Sequence, residues 1–355
     1  MSRFTPLAVV LAMAAAMALS APPAAAHEPE FTQDFDRERC TFVPFSNNPW
    51  FPLWPGYSVV LEGEEEDEGE VVELEVVLSV LTDTELVDGV LTRVVEERES
   101  EDGELVEVSR NFMAECRETG AVWYFGEDVD DFEDGEIVGH EGAWRAGVDG
   151  ALPGLFMPGT PLVGSRFQTE NAPGVAEDRA EIVAKGVTVE TPFATFDDAL
   201  QVLDTNPLDD DGEGDPKLYV PGVGLVKDEE IELVEVNEAP CMPDPVTLCL
   251  EDGRFRVQVE WMDPTGNGGL APATQITDDS GEFWFFQPDN VELLVKVLDA
   301  CVEPFDRYWV FAAGLTNVEI EITVTDTATD ITRTYENPQG NPFDPVQDTA
   351  AFECP

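Results

Sequence analysis

Carboxylates, six cysteines and two histidines are the side chains of this sequence that could carry chemistry. The 355 residues include 75 Asp and Glu against 18 Lys and Arg. Carboxylate oxygens bind hard cations such as calcium, and histidine nitrogens bind copper or zinc. Cysteines form disulfides in oxidising compartments and bind zinc as thiolates. Spacing along the chain helps to decide between these possibilities.

The densest local group of acidic side chains lies between residues 204 and 215. The residues in it that would bind calcium are Asp209, Asp210, Asp211, Glu213 and Asp215. The stretch lacks the acidic pattern and the closing glutamate of an EF-hand loop. Acidic residues are also spread along the whole chain, which favours a solvated surface over dedicated cation sites. Weak calcium binding is a possibility here, and no other cofactor is expected.

The two histidines, His27 and His140, allow a second metal hypothesis. If a leader is cleaved before His27, its amino group and imidazole could chelate copper as in a histidine brace. Such a site usually needs another histidine, and His140 is the only candidate. The alternative is a frayed terminus and an exposed histidine in a turn, which two histidines in so long a chain favour.

The six cysteines indicate disulfides, because export makes them permissible and their number is even. Cys40 and Cys116 lie in the first half, which predicts one bridge there. The remaining four are Cys241, Cys249, Cys301 and Cys354, and four cysteines allow three connectivities. We expect Cys241 to pair with Cys354 and Cys249 with Cys301. A zinc site is disfavoured, since no pair has the two-residue spacing of zinc ligands.

Catalytic motifs are missing from the sequence. It contains no Gly-x-Ser-x-Gly elbow, no glycine-rich phosphate loop and no His-Glu-x-x-His helix. Histidine-dependent nucleophilic catalysis is improbable with two histidines. Paired carboxylates could hydrolyse glycosides, but proximity of two carboxylates means little in so acidic a chain. The sequence therefore predicts a protein that is not an enzyme.

The formal net charge is −57, and −58 once a leader containing Arg3 is removed. A field of this sign repels phosphates and anionic lipid headgroups, which excludes nucleic acids and anionic membrane surfaces as partners. Self-repulsion should also destabilise the compact state at low salt and weaken as salt rises. The acidity indicates either solubility in a salty habitat or cation binding.

The first 26 residues have the pattern of a secretory signal peptide. Arg3 is followed by an apolar run from Pro6 to Leu19 and by the small residues Ala24 to Ala26. Cleavage would leave His27 at the new terminus. A lipid anchor would need a cysteine directly after the cleavage site, and there is none. No later stretch is long and apolar enough to span a bilayer. We predict a soluble protein that is secreted or periplasmic.

Beyond the leader, the sequence predicts an all-β, mostly antiparallel protein. An N-terminal arm over 27–44 precedes an antiparallel β domain over 45–236, a linker over 237–245 and a β-sandwich over 246–355. Short apolar strands alternate with Asp-Gly turns in the first domain, as in a meander. The acidic run Glu62 to Glu70 is predicted to be a solvated hairpin loop. About seven short strands in the last hundred residues are typical of a sandwich.

Three stretches of the first domain carry a resemblance. They are Pro-Leu-Trp-Pro-Gly-Tyr at 52–57, Thr-Pro-Phe-Ala-Thr-Phe at 191–196 and Tyr-Val-Pro-Gly-Val-Gly-Leu-Val-Lys at 219–227. Residues 45–236 are similar to bacterial exported proteins of the lipoprotein-carrier (LolA-like) superfamily. The resemblance implies a curved antiparallel sheet, and it carries no activity. Residues 246–355 also resemble a C-terminal module of secreted bacterial proteins.

Two functions remain in view. The first is a secreted or cell-envelope protein with a binding or structural role and a strongly acidic surface. The alternative is a carrier that holds an apolar ligand or lipid in a cavity of the first domain. Trp50, Phe51 and Trp54 could serve binding if exposed, although such residues are more often core. A hydrophobic small molecule or another envelope protein would be the partner, and the sequence leaves the oligomeric state open.

Overall fold

The computed structural model describes residues 30–67, 69–208 and 214–355. The predicted leader, His27 and the largely acidic stretch 209–213 lie outside the described residues. Phe31–Pro355 form one compact unit. The predicted all-β class is confirmed, since the described regular structure is antiparallel strand apart from a 3-10 turn at Arg37–Arg39. No helix in the described part of the chain is long and apolar enough to cross a membrane.

Fifteen strands form the first sheet: β1 (Phe42–Val43), β2 (Ser58–Asp67), β3 (Glu70–Val87), β4 (Val90–Glu101), β5 (Glu104–Cys116), β6 (Ala121–Glu133), β7 (Glu136–Gly139), β8 (Trp144–Arg145), β9 (Gly154–Met157), β10 (Arg166–Gln168), β11 (Arg179–Glu190), β12 (Thr195–Thr205), β13 (Asp215–Val220), β14 (Gly224–Asp228) and β15 (Ile231–Asn237). Their order is β10-β11-β12-β13-β14-β15-β2-β3-β4-β5-β6-β7, with β1 on β5 and with β8 and β9 on β6. Neighbours along this path follow one another in the chain except where β15 meets β2. The sheet is therefore two meanders joined at that pair.

The large sheet is strongly curved. Strands β4 and β13 are five strands apart in this order, which is about 24 Å in a flat sheet. Side chains from both strands nevertheless line the same cavity. Register shifts interrupt the pairing of β3 with β4 and of β11 with β12. Such bulges bend and twist a sheet, and they help the two halves to face each other.

The acidic run from Glu62 to Glu70 is not a loop as predicted. β2 and β3 pair in register from Ser58 with Ser79 to Asp67 with Glu70, so the hairpin continues almost to its tip. An antiparallel pair satisfies the backbone polar groups whatever the side chains are. The prediction was wrong because it took charge density as a sign of irregular structure.

Ten strands form the sandwich: β16 (Leu248–Leu250), β17 (Phe255–Met262), β18 (Gly268–Leu270), β19 (Ala273–Thr277), β20 (Ser280–Phe283), β21 (Leu293–Ala300), β22 (Arg307–Gly314), β23 (Glu319–Asp326), β24 (Ile331–Asn337) and β25 (Val346–Glu353). One sheet has the order β16-β17-β23-β24 with β18 on β17, and the other has the order β19-β20-β21-β22-β25. Alternate residues of β17 (Phe255, Val257 and Val259) are fully buried against Val295 and Val297 of β21 in one core. The alternation predicted for a sandwich is present.

All six cysteines are in disulfides, as predicted, and the structure confirms the bond between Cys40 and Cys116. Its Cα atoms are 5.0 Å apart and the two residues are 76 positions apart in the chain. The bond ties the segment before β1 to the end of β5. Three disulfides place this protein in an oxidising, extracytoplasmic compartment.

The predicted pairing of the other four cysteines is wrong. Cys241 is bonded to Cys249, because a bridged turn between them folds the chain back on itself. Cys301 is bonded to Cys354. Strands β21 and β25 flank β22 on its two sides and run in the same direction, so their last residues lie at the same end of the sheet. Cys249 lies on β16, in the other sheet from Cys301. The prediction assumed that one bond would join the ends of the module.

The large sheet and the sandwich meet at Arg93, which is 1% exposed. Its guanidinium donates hydrogen bonds to the carbonyl oxygens of Pro44 (2.9 Å) and Thr82 (2.7 Å) and to a carboxylate oxygen of Asp252 (2.6 Å). The predicted linker lies between the end of β15 and the start of β16. The division of the chain into two domains joined by this linker stays a prediction.

Candidate ligand site inside the curved sheet

Two adjoining cavities of about 330 and 180 Å³ lie within the curve of the large sheet. They share seven lining residues, so they form one continuous space, which we call the sheet cavity. The larger part lies beside the β2–β3 hairpin and the turn between β14 and β15. The smaller part extends toward Phe51 and Phe156. A space of this size suits a small ligand.

Carboxylates surround the smaller part of the sheet cavity. They are Glu97, Glu99, Glu107, Glu127, Glu170, Asp178, Asp204 and Asp228. Lys217 is the one basic residue that lines either part. Its ammonium group lies 3.1 Å from a carboxylate oxygen of Asp228 and 3.5 Å from one of Asp204. One lysine cannot neutralise eight carboxylates, so the lining carries an excess of negative charge.

Burial raises the pKa values of several of these carboxyl groups. Burial, with a smaller contribution from Glu99, raises the pKa of Glu97 to about 8. Burial likewise raises the pKa values of Glu107 and Glu127 to about 7 and that of Glu170 well above its usual range. Crowded carboxyl groups with little cation nearby hold protons instead of charge. Part of this lining is therefore protonated at neutral pH.

Lys217 responds in the opposite way. Burial alone would lower the pKa of its ammonium group, but the charges of Asp228 and Asp204 outweigh burial and the pKa rises well above the usual value. Lys217 therefore stays charged and holds these two carboxylates in the wall. Its charge also acts on Glu97 and Glu99, but burial outweighs it there and their pKa values stay raised.

The smaller part of the sheet cavity also has apolar and aromatic lining on the side toward Phe51 and Phe156. Leu78, Val95, Met113, Leu225 and Tyr219 line it together with three further rings. The Phe156 ring lies 4.6 Å from Phe51 and 5.9 Å from Tyr124, measured between ring centroids. This end offers an apolar body a surface that water does not fill well.

A hydrogen-bonded network of neutral groups lies between the two ends. The Tyr124 hydroxyl donates to the side-chain oxygen of Asn111. The Asn111 amide in turn donates to the carbonyl oxygen of Val95 (3.2 Å) and to the hydroxyl of Ser109 (3.1 Å). These contacts hold the phenol and the amide in place without any ligand.

Strand alternation explains how the sequence builds both ends. In β4 every second residue points inward, and the inward series runs from Val95 to Glu97 and Glu99. The neighbouring β5 pairs in register with it, with Glu107 opposite Glu99 and Asn111 opposite Val95. This register places two carboxyl groups, Glu99 and Glu107, side by side and places Val95 beside the amide of Asn111. The inward positions of the two strands therefore change together from acidic to uncharged.

The calcium candidates fall at the mouth of this cavity or outside the described residues. Asp209, Asp210, Asp211 and Glu213 lie outside them. Asp215 begins β13 and lines the larger part of the cavity with Glu229. A hydrogen bond that the protonated Glu229 carboxyl donates to Asp215, together with burial, raises the pKa of Glu229 to about 7. Calcium binding by this group stays a prediction.

The copper hypothesis can be followed only at His140, since His27 lies outside the described residues. The His140 ring nitrogen Nδ1 is 2.6 Å from the carbonyl oxygen of Val129 and 3.1 Å from a carboxylate oxygen of Asp130. Copper binding stays a prediction. The one close group of possible metal ligands among the described residues is Cys40, Cys116 and Glu118, and its cysteines are disulfide-bonded.

The aromatic residues Trp50, Phe51 and Trp54 belong to the core of the large sheet. Trp50 is 4% exposed, and Phe51 and Trp54 are partly buried against the same core. Phe51 also lines the sheet cavity. The carboxylates and Lys217 were not singled out from the sequence. The sign of the carboxylates in the sequence is that Val95, Glu97 and Glu99 occupy every second position of β4. This pattern does not stand out in a chain that is acidic throughout.

Comparison with known proteins assigns no role to the sheet cavity. No protein-family model and no curated protein matches the chain. Among solved structures, the chain is similar to an exported protein with a YmcC-like fold from Bacteroides fragilis, at 13% identity and a TM-score of 0.27. The match covers 56% of this chain and 100% of that one. So distant a likeness carries no conclusion, and the resemblance to lipoprotein carriers stays a prediction.

Proposed function

We propose that this protein is a non-enzymatic, extracytoplasmic binding protein that holds an organic cation in the sheet cavity. The positively charged group of the ligand would lie among Glu97, Glu99, Glu107 and Glu127. Its apolar part would pack at the aromatic end beside Tyr124. The ligand class is therefore an amine with an aromatic or aliphatic body.

The observation that carries this proposal is that one cavity is lined both by crowded carboxyl groups and by apolar and aromatic side chains. A cation entering the acidic end would replace the protons that the crowded carboxyl groups now hold. Releasing a proton below the pKa of the group costs free energy, and the attraction between the cation and the newly ionised carboxylate has to exceed that cost. The apolar end then adds contact area for the body of the ligand.

A wholly apolar ligand suits this lining less well. It would remove water from the carboxylates around Lys217 without offering them any hydrogen bond, which is costly. We therefore change the carrier hypothesis from an apolar to an amphiphilic, cationic ligand. Calcium is the second candidate, and the neighbouring carboxyl groups of Asp215 and Glu229 favour it at the mouth of the cavity.

The test is isothermal titration calorimetry of the protein at pH 7 with tyramine, spermidine, calcium chloride and oleate. We expect tyramine to bind more tightly than calcium and to release protons, detected as a heat that depends on the ionisation enthalpy of the buffer. The double variant Glu97→Gln/Glu127→Gln should weaken tyramine binding about tenfold or more. Glu321→Gln, on the outer face of the sandwich, is the matched control and should change nothing.

Each other outcome contradicts the proposal in its own way. Binding of oleate without any amine would favour the apolar carrier. Binding of calcium alone, at micromolar to millimolar concentration, would leave a cation site with no role for the aromatic end. Equal loss of tyramine binding in the control variant would assign the effect to overall charge. No binding of any of the four would remove the cavity as a ligand site.

A further inference from the structure

The outer face of one sandwich sheet carries a row of aromatic rings. On β22, Tyr308 and Val310 point into the core, so Trp309 and Phe311 lie on the opposite face and are partly exposed. Phe305, in the preceding turn, is 53% exposed. Ring centroids are 5.0 Å apart between Phe305 and Trp309 and 6.1 Å apart between Trp309 and Phe311.

Two leucines of the neighbouring strand extend this row. Leu298 is in register with Trp309, and Leu294, opposite Ala313, is 42% exposed. We call Leu294, Leu298, Phe305, Trp309 and Phe311 the aromatic face. The outward side of an antiparallel sheet is normally polar, and contiguous exposed apolar side chains mark interaction sites.

The opposite face of the same sandwich shows the usual pattern in an extreme form. On β23 the outward residues are Glu319, Glu321, Thr323 and Thr325, and all face solvent at least in part. Glu321 is in register with Glu260 on one side and with Glu336 on the other. A partner with basic charge would find its complement there and not on the aromatic face.

The five side chains of the aromatic face are uncharged in a chain of net charge −57, and acidic residues such as Glu282, in register with Leu294, border it. The basic residues beside it are already in ion pairs, Lys296 with Asp279 and Arg307 with Glu353 at 3.8 Å. Polyanions are repelled by the surrounding field. The complement of a neutral aromatic surface on a polyanion is an uncharged ligand with flat apolar faces and a hydroxylated rim, and sugar rings have this form.

We propose that the aromatic face binds a neutral polysaccharide, independently of the sheet cavity. Sugar C–H groups would contact the ring faces, as weak donors do at aromatic surfaces. The ring planes of Phe305 and Phe311 are inclined at 84° and 74° to that of Trp309. Rings inclined in this way cannot all lie on one plane, so the ligand is a single soluble glycan chain and not the flat surface of a crystalline polymer.

The test is affinity gel electrophoresis of the full-length protein in gels containing hydroxyethylcellulose, mixed-linkage β-glucan or xylan, with a pull-down on crystalline cellulose. We expect at least one soluble polysaccharide to retard the protein and crystalline cellulose to leave it in solution. Trp309→Ala and Phe305→Ala should each weaken retardation about tenfold. Thr323→Ala, on the opposite face, is the control and should behave as the wild type.

Circular dichroism and melting temperature show whether each variant is folded, and Phe305→Ala, in a turn, keeps the test valid if Trp309→Ala unfolds. Failure of every soluble polysaccharide to retard the protein would overturn the proposal. So would retardation that both folded variants retain. A dimer in analytical ultracentrifugation that Trp309→Ala dissociates would assign this face to a second copy of the chain. None of these outcomes alters the tyramine test of the sheet cavity.

Discussion

Strands of the large sheet and of the sandwich alternate inward and outward residues in the same way, but the residue types at the inward positions differ. In the sandwich, inward positions such as Val257 and Val297 are apolar and fully buried. Its two buried acidic residues have partners, since Asp326 pairs with Arg254 and Glu292 accepts the Phe285 N–H. In the large sheet, the inward positions of β4 change from Val95 to Glu97 and Glu99. The sandwich therefore buries little charge and pairs what it buries, whereas the large sheet gathers many carboxyl groups around one cavity.

The reason for the difference is the second layer. Each sheet of the sandwich fills the space that the other leaves, so the core is dry. The large sheet curves onto itself and leaves a space that the apolar side chains fill at one end only. Inward carboxyl groups in that space cost stability, because burial disfavours their ionised form. Such a cost at one site in the protein is more typical of a binding function than of a structural one.

The largest expected difference between the two regions comes from a matched pair of leucine truncations. Leu293→Ala, at a fully buried position of the sandwich core, should lower the free energy of unfolding by about 2–5 kcal/mol. Leu78→Ala, in the lining of the sheet cavity, should cost about 1 kcal/mol, because the space beside it is already open. Urea denaturation of both variants checks this. Equal costs would mean that the sheet cavity is closed in solution.

The joint between the regions should give the next largest effect. Arg93→Met leaves the carbonyl oxygens of Pro44 and Thr82 without their donor and removes the ion pair with Asp252. We expect a loss of about 2–3 kcal/mol, since these partly buried acceptors lose their donor while the carboxylate of Asp252 remains in contact with water. Asp252→Asn, the milder variant, should cost about 1 kcal/mol.

Calorimetry distinguishes the role of this joint from simple packing. If Arg93 couples the two regions, Arg93→Met should split the unfolding transition in two, while Asp252→Asn keeps one. A single transition in both variants, shifted by the same amount, would show that coupling does not depend on the buried guanidinium.

Strand patterning predicted the all-β class and the sandwich, because both follow from alternation and turn residues that are local in sequence. The bond between Cys40 and Cys116 was predicted because the first half offers no other pair. The bonds of Cys301 and Cys354 were not predicted, because they depend on which strands flank β22. Strand order is a tertiary property that the spacing of cysteines does not encode.

The candidate site was hidden for a related reason. Glu97 and Lys217 come together only because the large sheet curves, and they are 120 positions apart in the chain. In a protein with 75 acidic residues, a glutamate that faces inward looks like one that faces water. Only its register with Ser109 on β5 and the facing strand β13 identifies it.

The inward charge should give this protein an unusual pH dependence. Burial raises the pKa of Glu97 from 4.5 to about 8, so the folded state binds more protons than the unfolded state between these values. The free energy of unfolding therefore falls as pH rises from about 5 to 8. Glu97→Gln removes this loss and should stabilise the protein by about 1–2 kcal/mol at pH 8, with little change at pH 5.

Urea denaturation at the two pH values measures this effect, and Glu321→Gln in the sandwich is the control. Glu321 is exposed and lies outside the sheet cavity, so any gain in stability from Glu321→Gln should be about the same at pH 5 and at pH 8. A wild-type protein that becomes steadily more stable from pH 5 to 8 would contradict the inward, protonated state of Glu97.

The smallest predicted effect is a change in stability that depends on salt, and it distinguishes charge on the surface from charge in the cavity. On the sandwich surface Glu321 lies between Glu260 and Glu336, in register with both, and like charges directly opposite each other on neighbouring strands repel. Glu321→Gln should therefore stabilise the protein by about 0.5 kcal/mol at low salt. In about 1 M sodium chloride the Debye length falls to roughly 3 Å and this gain should vanish. The gain from Glu97→Gln at pH 8 arises chiefly from burial, which salt does not screen, and should persist. If both gains disappear together on adding salt, repulsion at the surface accounts for both regions and the distinction between them fails.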